Sequence, residues 1–480
     1  MTPYMKNMLE AFHDLTDGER LLVDSKETRA EQWLSKAVET LLLQQSKRVH
    51  REYNTGLPLR SVDHYYTDCW LNFDPKKWRD IQPGQLTEVA DMLKTYSEPT
   101  KAIGLQALLK DPVFDKAIEV VMSNIPPVRA THEIREINLP FMTKHTNVGY
   151  PYFSNDRSID RSSQRSYADI TMDIAKANAN NFSDLWKWNV TTQFDRFQRG
   201  KGRLILAISR IPNLIMNQLE SIEIQNYKVK SPLFAGYNDD QVLQSVLTSM
   251  LHECERTGHV MYNIDYHRYD AHVTEELILL LGAISMCKCT DSRSQELAMR
   301  RALLMTRSRC VSGVVGKEVD IFGRIFSGFI DTNRGGGLIN AIVMTYLIMK
   351  QDPSYVKKIA YGYPNYMLVM GDDNLAVVDP THFNLSKLQN SALKLNFEID
   401  DPTKLAYGPK FLQYRVFELD DKLVMIYPWT RVLRSALFKE RPKGLGPCGW
   451  TLATYQQLAK LKQAPAFLAP VVNILAYFDT

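Results

Sequence analysis

Two acidic stretches of this chain have the residue types and spacing to hold hard cations. Residues 367–378 read Met-Leu-Val-Met-Gly-Asp-Asp-Asn-Leu-Ala-Val-Val. Two apolar, strand-like runs flank Gly371-Asp372-Asp373-Asn374, a hairpin signature in which Gly and Asn supply unusual backbone angles at the tip. Adjacent carboxylates repel each other, so a turn that presents two of them calls for a cation. Upstream, Val260, Tyr262 and Ile264 alternate along a second strand-like run that ends at Asp265 and continues Tyr266-His267-Arg268-Tyr269-Asp270. If this strand pairs beside the hairpin, Asp265 and Asp372 converge, with Asp373 next to them. Three carboxylates on a rigid sheet suit two Mg²⁺ ions, which prefer oxygen ligands. Two such ions ~3.5–4 Å apart clamp the attacking and leaving oxygens of an in-line phosphoryl displacement. His267 and His272 fit this hard-oxygen chemistry poorly.

Two further stretches have the chemistry of an anion site. Ser327-Gly328-Phe329-Ile330-Asp331-Thr332 leads into Asn333-Arg334-Gly335-Gly336-Gly337. A helix is expected to start near Leu338, with Ile339, Ile342, Val343 and Leu347 on its apolar side. A glycine-rich loop before a helix lets backbone approach a ligand closely. Between 195 and 210, Arg196, Arg199, Lys201, Arg203 and Arg210 face one acid, Asp195. Glycines on both sides of Lys201 let the backbone bend round phosphates, with Lys201 a point charge on phosphate and Arg203 a flat group able to stack on a base. A third basic run, Arg431, Arg434, Lys439, Arg441 and Lys443, reads equally well as a solvated helix face or as a tracker of nucleic-acid phosphates. Gly444 to Gly449 fits Gly-x-Gly-x-x-Gly, but basic residues precede it and no acid follows at the required distance, so it is a loop.

The elements that must position these residues are of mixed type. The 480 residues carry 58 Lys and Arg against 54 Asp and Glu, a formal charge of +4, and are 45% hydrophobic and 23% charged. Those are globular values and exclude a wholly disordered chain. Six cysteines are too few and too scattered for a disulfide framework, and Cys287-Lys288-Cys289 lacks a second pair for zinc. The apolar runs at 277–286 and 467–477 fall short of the ~18 residues that span a bilayer. No apolar signal region follows Met1, so the expectation is a protein that is not secreted. From about 255 to 427, short β-type runs alternate with helical segments, the pattern of an α+β core.

In chain order, the 260–270 strand, the 327–347 loop and helix, and the 367–378 hairpin resemble motifs A, B and C of viral RNA-dependent RNA polymerases. His145-Thr146-Asn147-Val148-Gly149-Tyr150-Pro151 resembles the template-contacting motif G of the picornavirus-like members. Arg199-Gly200-Lys201-Gly202-Arg203-Leu204-Ile205 resembles motif F, which contacts the incoming nucleotide. Lys394 to Lys404 resembles motif D, and Phe411-Leu412-Gln413-Tyr414 resembles motif E, the primer grip. Chain length and layout resemble most the compact polymerases of picobirnaviruses and partitiviruses, which have double-stranded RNA genomes. One position departs from the pattern. The motif B asparagine, four residues after the threonine, is here Gly336; Asn340 fills the role if the loop carries a four-residue insertion, and Asn333 is the other candidate.

The resemblance implies an α+β right-hand polymerase with an antiparallel palm sheet. The palm would be 256–275 and 321–427, the fingers 100–255 and 276–320, and the thumb 428–480, with residues 1–99 bridging fingers and thumb to close the channel. It implies template-directed RNA synthesis with two Mg²⁺ or Mn²⁺ ions held by Asp265, Asp372 and, more weakly, Asp373. Lys404 would act as general acid on the leaving pyrophosphate. Asp270 would accept a hydrogen bond from the ribose 2′-hydroxyl, the group that distinguishes RNA from DNA; Ser327, Thr332 and Asn340 would assist, with Arg199, Lys201 and Arg203 on the triphosphate. Thr146, Asn147, Gly149, Tyr150, Pro151 and Gly328 would contact template. The expected partners are RNA template and product, ribonucleoside triphosphates and a viral capsid protein, with no membrane segment; the expected location is the virion interior and host cytoplasm. A reverse transcriptase, a template-independent terminal transferase and a non-catalytic RNA-binding protein are the alternatives. Asp270 in place of an aromatic speaks against the first, the 146–151 segment against the second, and three retained carboxylates against the third.

Overall fold

The computed structural model describes residues 85–134, 147–198, 201–230, 237, 240–312, 317–325, 327–356, 366–399, 410–419 and 422–427. In chain order the principal elements are α1 (Gln85–Tyr96), α2 (Pro112–Ser123), α3 (Tyr167–Ala177), β1 (Val190–Gln198), β2 (Lys201–Ile208), α4 (Arg210–Lys230), α5 (Asp240–Thr257), β3 (Val260–Tyr262), α6 (Glu275–Lys288), α7 (Ser292–Thr306), β4 (Arg307–Ser312), β5 (Lys317–Phe322), α8 (Thr332–Met349), β6 (Met367–Met370), β7 (Asp373–Val378), α9 (Leu385–Lys394), β8 (Lys410–Phe411), β9 (Tyr414–Leu419) and β10 (Lys422–Ile426). Five of these helices start with a side-chain cap. Asp111, Ser166, Thr274, Asp291 and Asn384 each accept a hydrogen bond from a backbone N–H of the first turn, and Pro112 follows Asp111 at the first helical position.

The chain divides by its internal contacts into two units. One comprises Met1–Phe12, Leu86–Arg196 and Arg203–Lys404; the other comprises His13–Gln85, Phe197–Gly202 and Leu405–Thr480. Within the first, β3, β7 and β6 form an antiparallel sheet in that order, and β2, β1, β4 and β5 form a four-stranded sheet in which β1 and β4 run parallel. The second contains the antiparallel β8, β9 and β10, with Leu412 and Gln413 turning the corner between β8 and β9 at φ of 50° and 72°. Mixed helices with antiparallel sheets agree with the α+β reading of the sequence.

The core of the first unit lies around α8, which is buried from Arg334 through Met349. A helix that is apolar on all sides must be covered on all sides. The β6–β7 hairpin, α2 and α6 do this, and Phe114 meets Tyr346 edge to face at 5.2 Å. The helix begins at Thr332, not near Leu338 as the sequence suggested. Gly335, Gly336 and Gly337 are therefore helical, and the first two serve close packing. A Cβ on Gly335 would stand 2.7 Å from Leu281 Cδ2, and one on Gly336 would stand 3.3 Å from Ile325 and 3.8 Å from the Cα of Gly371. Residues 1–84, the 428–480 segment, Thr146, Arg199 and Lys404 lie outside the described residues. No helix among the described residues is long and apolar enough to cross a membrane.

Candidate active site

The expected juxtaposition of the two carboxylate-bearing stretches is a matter of strand pairing. β6 and β7 form a hairpin whose two-residue tip is Gly371-Asp372, with Met370 opposite Asp373. Gly371 has a φ of +61°, which explains a glycine at the tip. β3 pairs antiparallel with β7, Tyr262 opposite Ala376. The ladder ends there, and a side chain continues it. Asn374 Oδ1 accepts from the Ile264 N–H at 3.1 Å, while Asn374 Nδ2 donates to the Ile264 carbonyl at 2.9 Å. Asn263 Nδ2 donates in turn to the Asn374 carbonyl at 2.7 Å. The residue before Asp265 is thus bonded to the residue after Asp373.

Asn340 completes the connection. Its Nδ2 donates to the carbonyls of Gly371 and Asp372 at 2.9 and 3.0 Å, and its Oδ1 accepts from the Tyr266 hydroxyl at 3.1 Å. It is fully buried. The amide that the sequence offered to a ribose is instead spent on the backbone of the acidic tip. The reason is the helix start at Thr332: no loop insertion brings Asn340 forward. Asn333, in the first turn, is exposed and places Oδ1 3.7 Å from where a Cβ on Gly371 would be. Of the two asparagines weighed from sequence, Asn333 is the one at the surface beside the tip.

Asp265 and Asp372 are exposed, and Asp373 is half-buried. Among the described residues no group of three or more His, Cys, Asp or Glu side chains is gathered into a metal site. The donor set nevertheless fits a hard divalent ion: exposed carboxylate oxygens on segments that Asn374 and Asn340 tie together. His272 is not part of it, because its Nδ1 is bonded to the Asn396 carbonyl at 2.9 Å and burial lowers its pKa.

Asp270 sits on the single helical turn Tyr269–His272, half-buried, with its carbonyl accepting from the Ile325 N–H at 3.3 Å. Tyr269 beside it donates its hydroxyl to the Gly336 carbonyl at 2.7 Å. Burial, followed by neighbouring Tyr266 and the negative charges of Asp270 and Asp372, holds the Tyr269 phenol well above its ordinary pKa. The Tyr269 ring stacks on Phe397 at 5.4 Å.

The remaining residues gather at the junction of β2 with α4. Ser327 is exposed, and its Oγ accepts from the Leu206 N–H at 3.3 Å. The Gly328 N–H donates to the Leu206 carbonyl at 3.0 Å, and Asn213 bonds both the Gly328 carbonyl and the Ile330 N–H. A Cβ on Gly328 would lie 2.5 Å from Ala207 Cα, so this contact excludes every side chain. Thr332 Oγ1 donates to the Phe329 carbonyl at 2.7 Å. From the other direction, Ser209 Oγ donates to the Tyr150 carbonyl at 2.7 Å, and the Arg210 N–H donates to the Val148 carbonyl at 2.9 Å. Asn147 Oδ1 accepts from the Gly149 N–H at 2.8 Å and shapes the loop that ends at Pro151. Lys201 and Arg203 lie on β2, the strand that leads into this junction. Residues 147–151, 206–210 and 327–332 are therefore one assembly in space.

Two participants were not recognised in the sequence. Asn374 read as a turn residue, yet it lies in β7 and bridges strands. A buried charged group around Arg301 and Arg334 was missed too; its signal was Glu220, Glu223 and Tyr227 at helical spacing.

Residues 235–416 match the family model described as viral RNA-dependent RNA polymerase. No curated protein matches the chain. The fold is similar to that of the RNA-dependent RNA polymerase of a human picobirnavirus, at a TM-score of 0.62 and 14% identity over 91% of this chain and 82% of that one. The crystal structure of its insertion-loop deletion mutant gives the same score and identity over 92% and 85%. The matched region contains Asp265, Asp270, the Ser327–Thr332 loop and the Gly371–Asn374 tip. Residues 235–416 of this chain are thus similar to the viral RNA-dependent RNA polymerases, enzymes of template-directed RNA synthesis.

Proposed function

We propose that this enzyme joins ribonucleotides by two-metal nucleotidyl transfer at the Asp265 and Asp372 carboxylates. The pairing of β3 with β7, extended by the Asn374 amide to Ile264, carries this reading. Asp265 and Asp372 would hold the divalent ions, with Asp373 as the weaker partner. Such ions, Mg²⁺ or Mn²⁺, supply Lewis-acid activation of the primer 3′-hydroxyl and neutralise charge on the triphosphate.

The chain's own residues do the positioning, which is most of the catalysis in phosphoryl transfer. Asn374 and Asn340 fix the spacing of the acidic segments. Asp270 accepts a hydrogen bond from the 2′-hydroxyl of the incoming nucleotide, and Asn333, exposed beside Gly371, is the amide placed to assist it. Ser327 and Thr332 belong to the loop that the β2–α4 junction fastens. Lys201, Arg203 and Arg199 bind the triphosphate, and Lys404 protonates the departing pyrophosphate. Asn147 to Pro151, with Thr146 before them, guide template toward the junction. In the right-hand arrangement, the β3–β7–β6 sheet with α8 is palm.

The test gives the purified full chain a single-stranded RNA template, four ribonucleotides and Mg²⁺ or Mn²⁺. Labelled complementary RNA is the expected product, absent with Asp372→Ala. Synthesis that survives this change contradicts the carboxylate assignment. Equal use of deoxynucleotides would indicate a reverse transcriptase instead, and product without template a terminal transferase.

A further inference from the structure

Five charged side chains meet in the interior of the first unit, away from the acidic tip. Arg301 of α7, Glu220 and Glu223 of α4, and Asp331 and Arg334 at the start of α8 are each between 0 and 2% exposed. Arg301 Nη1 lies 2.8 Å from Glu220 Oε2 and 2.5 Å from Glu223 Oε2, while its Nε is 3.3 Å from Asp331 Oδ2. Arg334 Nε lies 3.1 Å from Glu220 Oε2 and 3.2 Å from Glu223 Oε2, and its Nη2 is 2.6 Å from Asp331 Oδ1. The Tyr227 hydroxyl accepts from Arg334 Nη1 at 3.3 Å. Gly335 leaves the space for Asp331, whose Oδ2 would be 3.0 Å from a Cβ there.

Three carboxylates face two guanidinium groups. Fully ionised, the cluster would bury one net negative charge, which is costly without a compensating partner. One acid must therefore keep its proton. Asp331 and Glu223 each meet both guanidiniums through two oxygens or through one shared oxygen with a second bonded one. Glu220 hydrogen-bonds them through Oε2 alone, and its Oε1 is buried with no hydrogen-bond partner; Asp331 Oδ1 also makes no hydrogen bond but stands 2.6 Å from Arg334 Nη2. Of the two, Glu220 Oε1 is the worse place for negative charge.

The cluster has a mechanical consequence. Asp331 immediately precedes Thr332 and closes the Ser327–Thr332 loop. The same helix α4 holds the middle of that loop through Asn213 and its end, by way of the arginines, through Glu220 and Glu223. We propose that Arg301, Arg334, Glu220, Glu223 and Asp331 form a positioning cluster for the Ser327–Thr332 loop, and that it is assembled with a single proton, carried by Glu220. Burial, with the charge of Asp331 next, holds the Glu220 carboxyl well above the usual carboxylate range. The carboxylates outweigh the desolvation of Arg334 and keep that guanidinium charged. The positioning half rests on the polymerase reading above; the protonation half does not.

The proton makes the cluster self-compensating. Neutralising Asp331 frees Glu220 to ionise, and neutralising Glu220 replaces a protonated acid with an isosteric amide. Neutralising both leaves two guanidiniums with one carboxylate. The experiment measures thermal melting of the full chain for Glu220→Gln, Asp331→Asn and the double variant. Glu220→Gln should melt within about 2 °C of the parent, and the double variant should fall well below the sum of the singles. Adding Arg301→Met to the double variant rebalances the charge and should raise the melting point or restore soluble expression. Additive losses, a Glu220→Gln loss as large as that of the double, or no rescue by Arg301→Met each overturn the shared proton. For the loop, Asp331→Asn should raise the nucleotide KM about tenfold while kcat falls less than about threefold. A folded Asp331→Asn with an unchanged KM overturns the positioning role. A parent chain that makes no RNA refutes the polymerase reading and leaves the melting results standing.

Discussion

The side-chain amide of Asn374 bonds both the N–H and the carbonyl of Ile264, as a strand neighbour would. One asparagine thereby extends the β3–β7 ladder past its last backbone pair and up to the carboxylates. The same amide nitrogen also lies 3.3 Å from the Asp372 carbonyl and 3.4 Å from Asn340 Oδ1. Asn374→Ala should destabilise the chain by about 2–4 kcal/mol, since it leaves buried backbone groups unpaired. Elongation should slow further than the melting shift explains. Asn374→Asp sets a carboxylate oxygen against the Ile264 carbonyl and should do at least as much damage; thermal melting and a single-nucleotide extension assay check both.

Asp265 and Asp372 are exposed, so their loss should affect chemistry more than stability. Asp265→Asn and Asp372→Asn should each reduce synthesis by at least about a hundredfold, the scale for removing an electrostatic group from a reacting centre. Melting temperatures should match the parent. A large fall in melting temperature would assign these residues to the scaffold instead.

Asp270 carries the prediction on sugar choice. Asp270→Ala should reduce the ratio of ribonucleotide to deoxyribonucleotide kcat/KM by about tenfold or more, the value of one hydrogen bond to a charged acceptor. Asn333→Ala should narrow the ratio in the same direction. Competition between the two nucleotide types on one template reads this out, and an unchanged ratio removes Asp270 from the ribose.

Gly328→Ala tests the fastening of the loop to β2. Its methyl would meet the backbone of Leu206 and Ala207 at 2.6 and 2.5 Å, and neither atom is the flexible end of a side chain. The loop must move away, at a cost of about 1–3 kcal/mol. Activity should fall while the rest of the first unit keeps its hydrogen-exchange protection, with the loss centred on residues 204–208 and 327–331.

Thiol reactivity should discriminate among the cysteines. Burial pushes the Cys254, Cys289 and Cys310 thiols up to about 12, whereas Cys287 is exposed. The thiolate is the nucleophile, so alkylation at pH 8 should label Cys287 in the native protein and leave Cys289 and Cys310 until unfolding. Peptide mass spectrometry distinguishes them. Equal labelling of Cys287 and Cys289 would show that the end of α6 is open.

The chemistry of the carboxylate hairpin was legible in the sequence because its determinants are local. A two-residue tip between two apolar runs needs Gly371 and forces Asp372 outward. The alternation from Val260 to Ile264 likewise announces a strand before Asp265, although its backbone ladder stops at Tyr262. The order of the motifs added the resemblance to a polymerase family, which depends on no coordinates. What the sequence could not show was the use made of polar side chains in the interior. Asn340 and Asn374 have the same composition as ribose-binding or turn asparagines. Only the packing of α8 and of the segment after β3 against the β6–β7 hairpin shows that both amides are spent on backbone groups. The three glycines before Leu338 read as a loop by propensity, yet the helix runs through them, because Leu281, Ile325 and the Gly371 turn approach too closely for larger side chains. Glu220, Glu223, Asp331, Arg301 and Arg334 come from three helices, and no local pattern pairs them. Local sequence sets the turns, strands and caps through short-range sterics, whereas the partners of buried charges and amides are chosen by tertiary contact, where an unpaired group is too costly to leave alone.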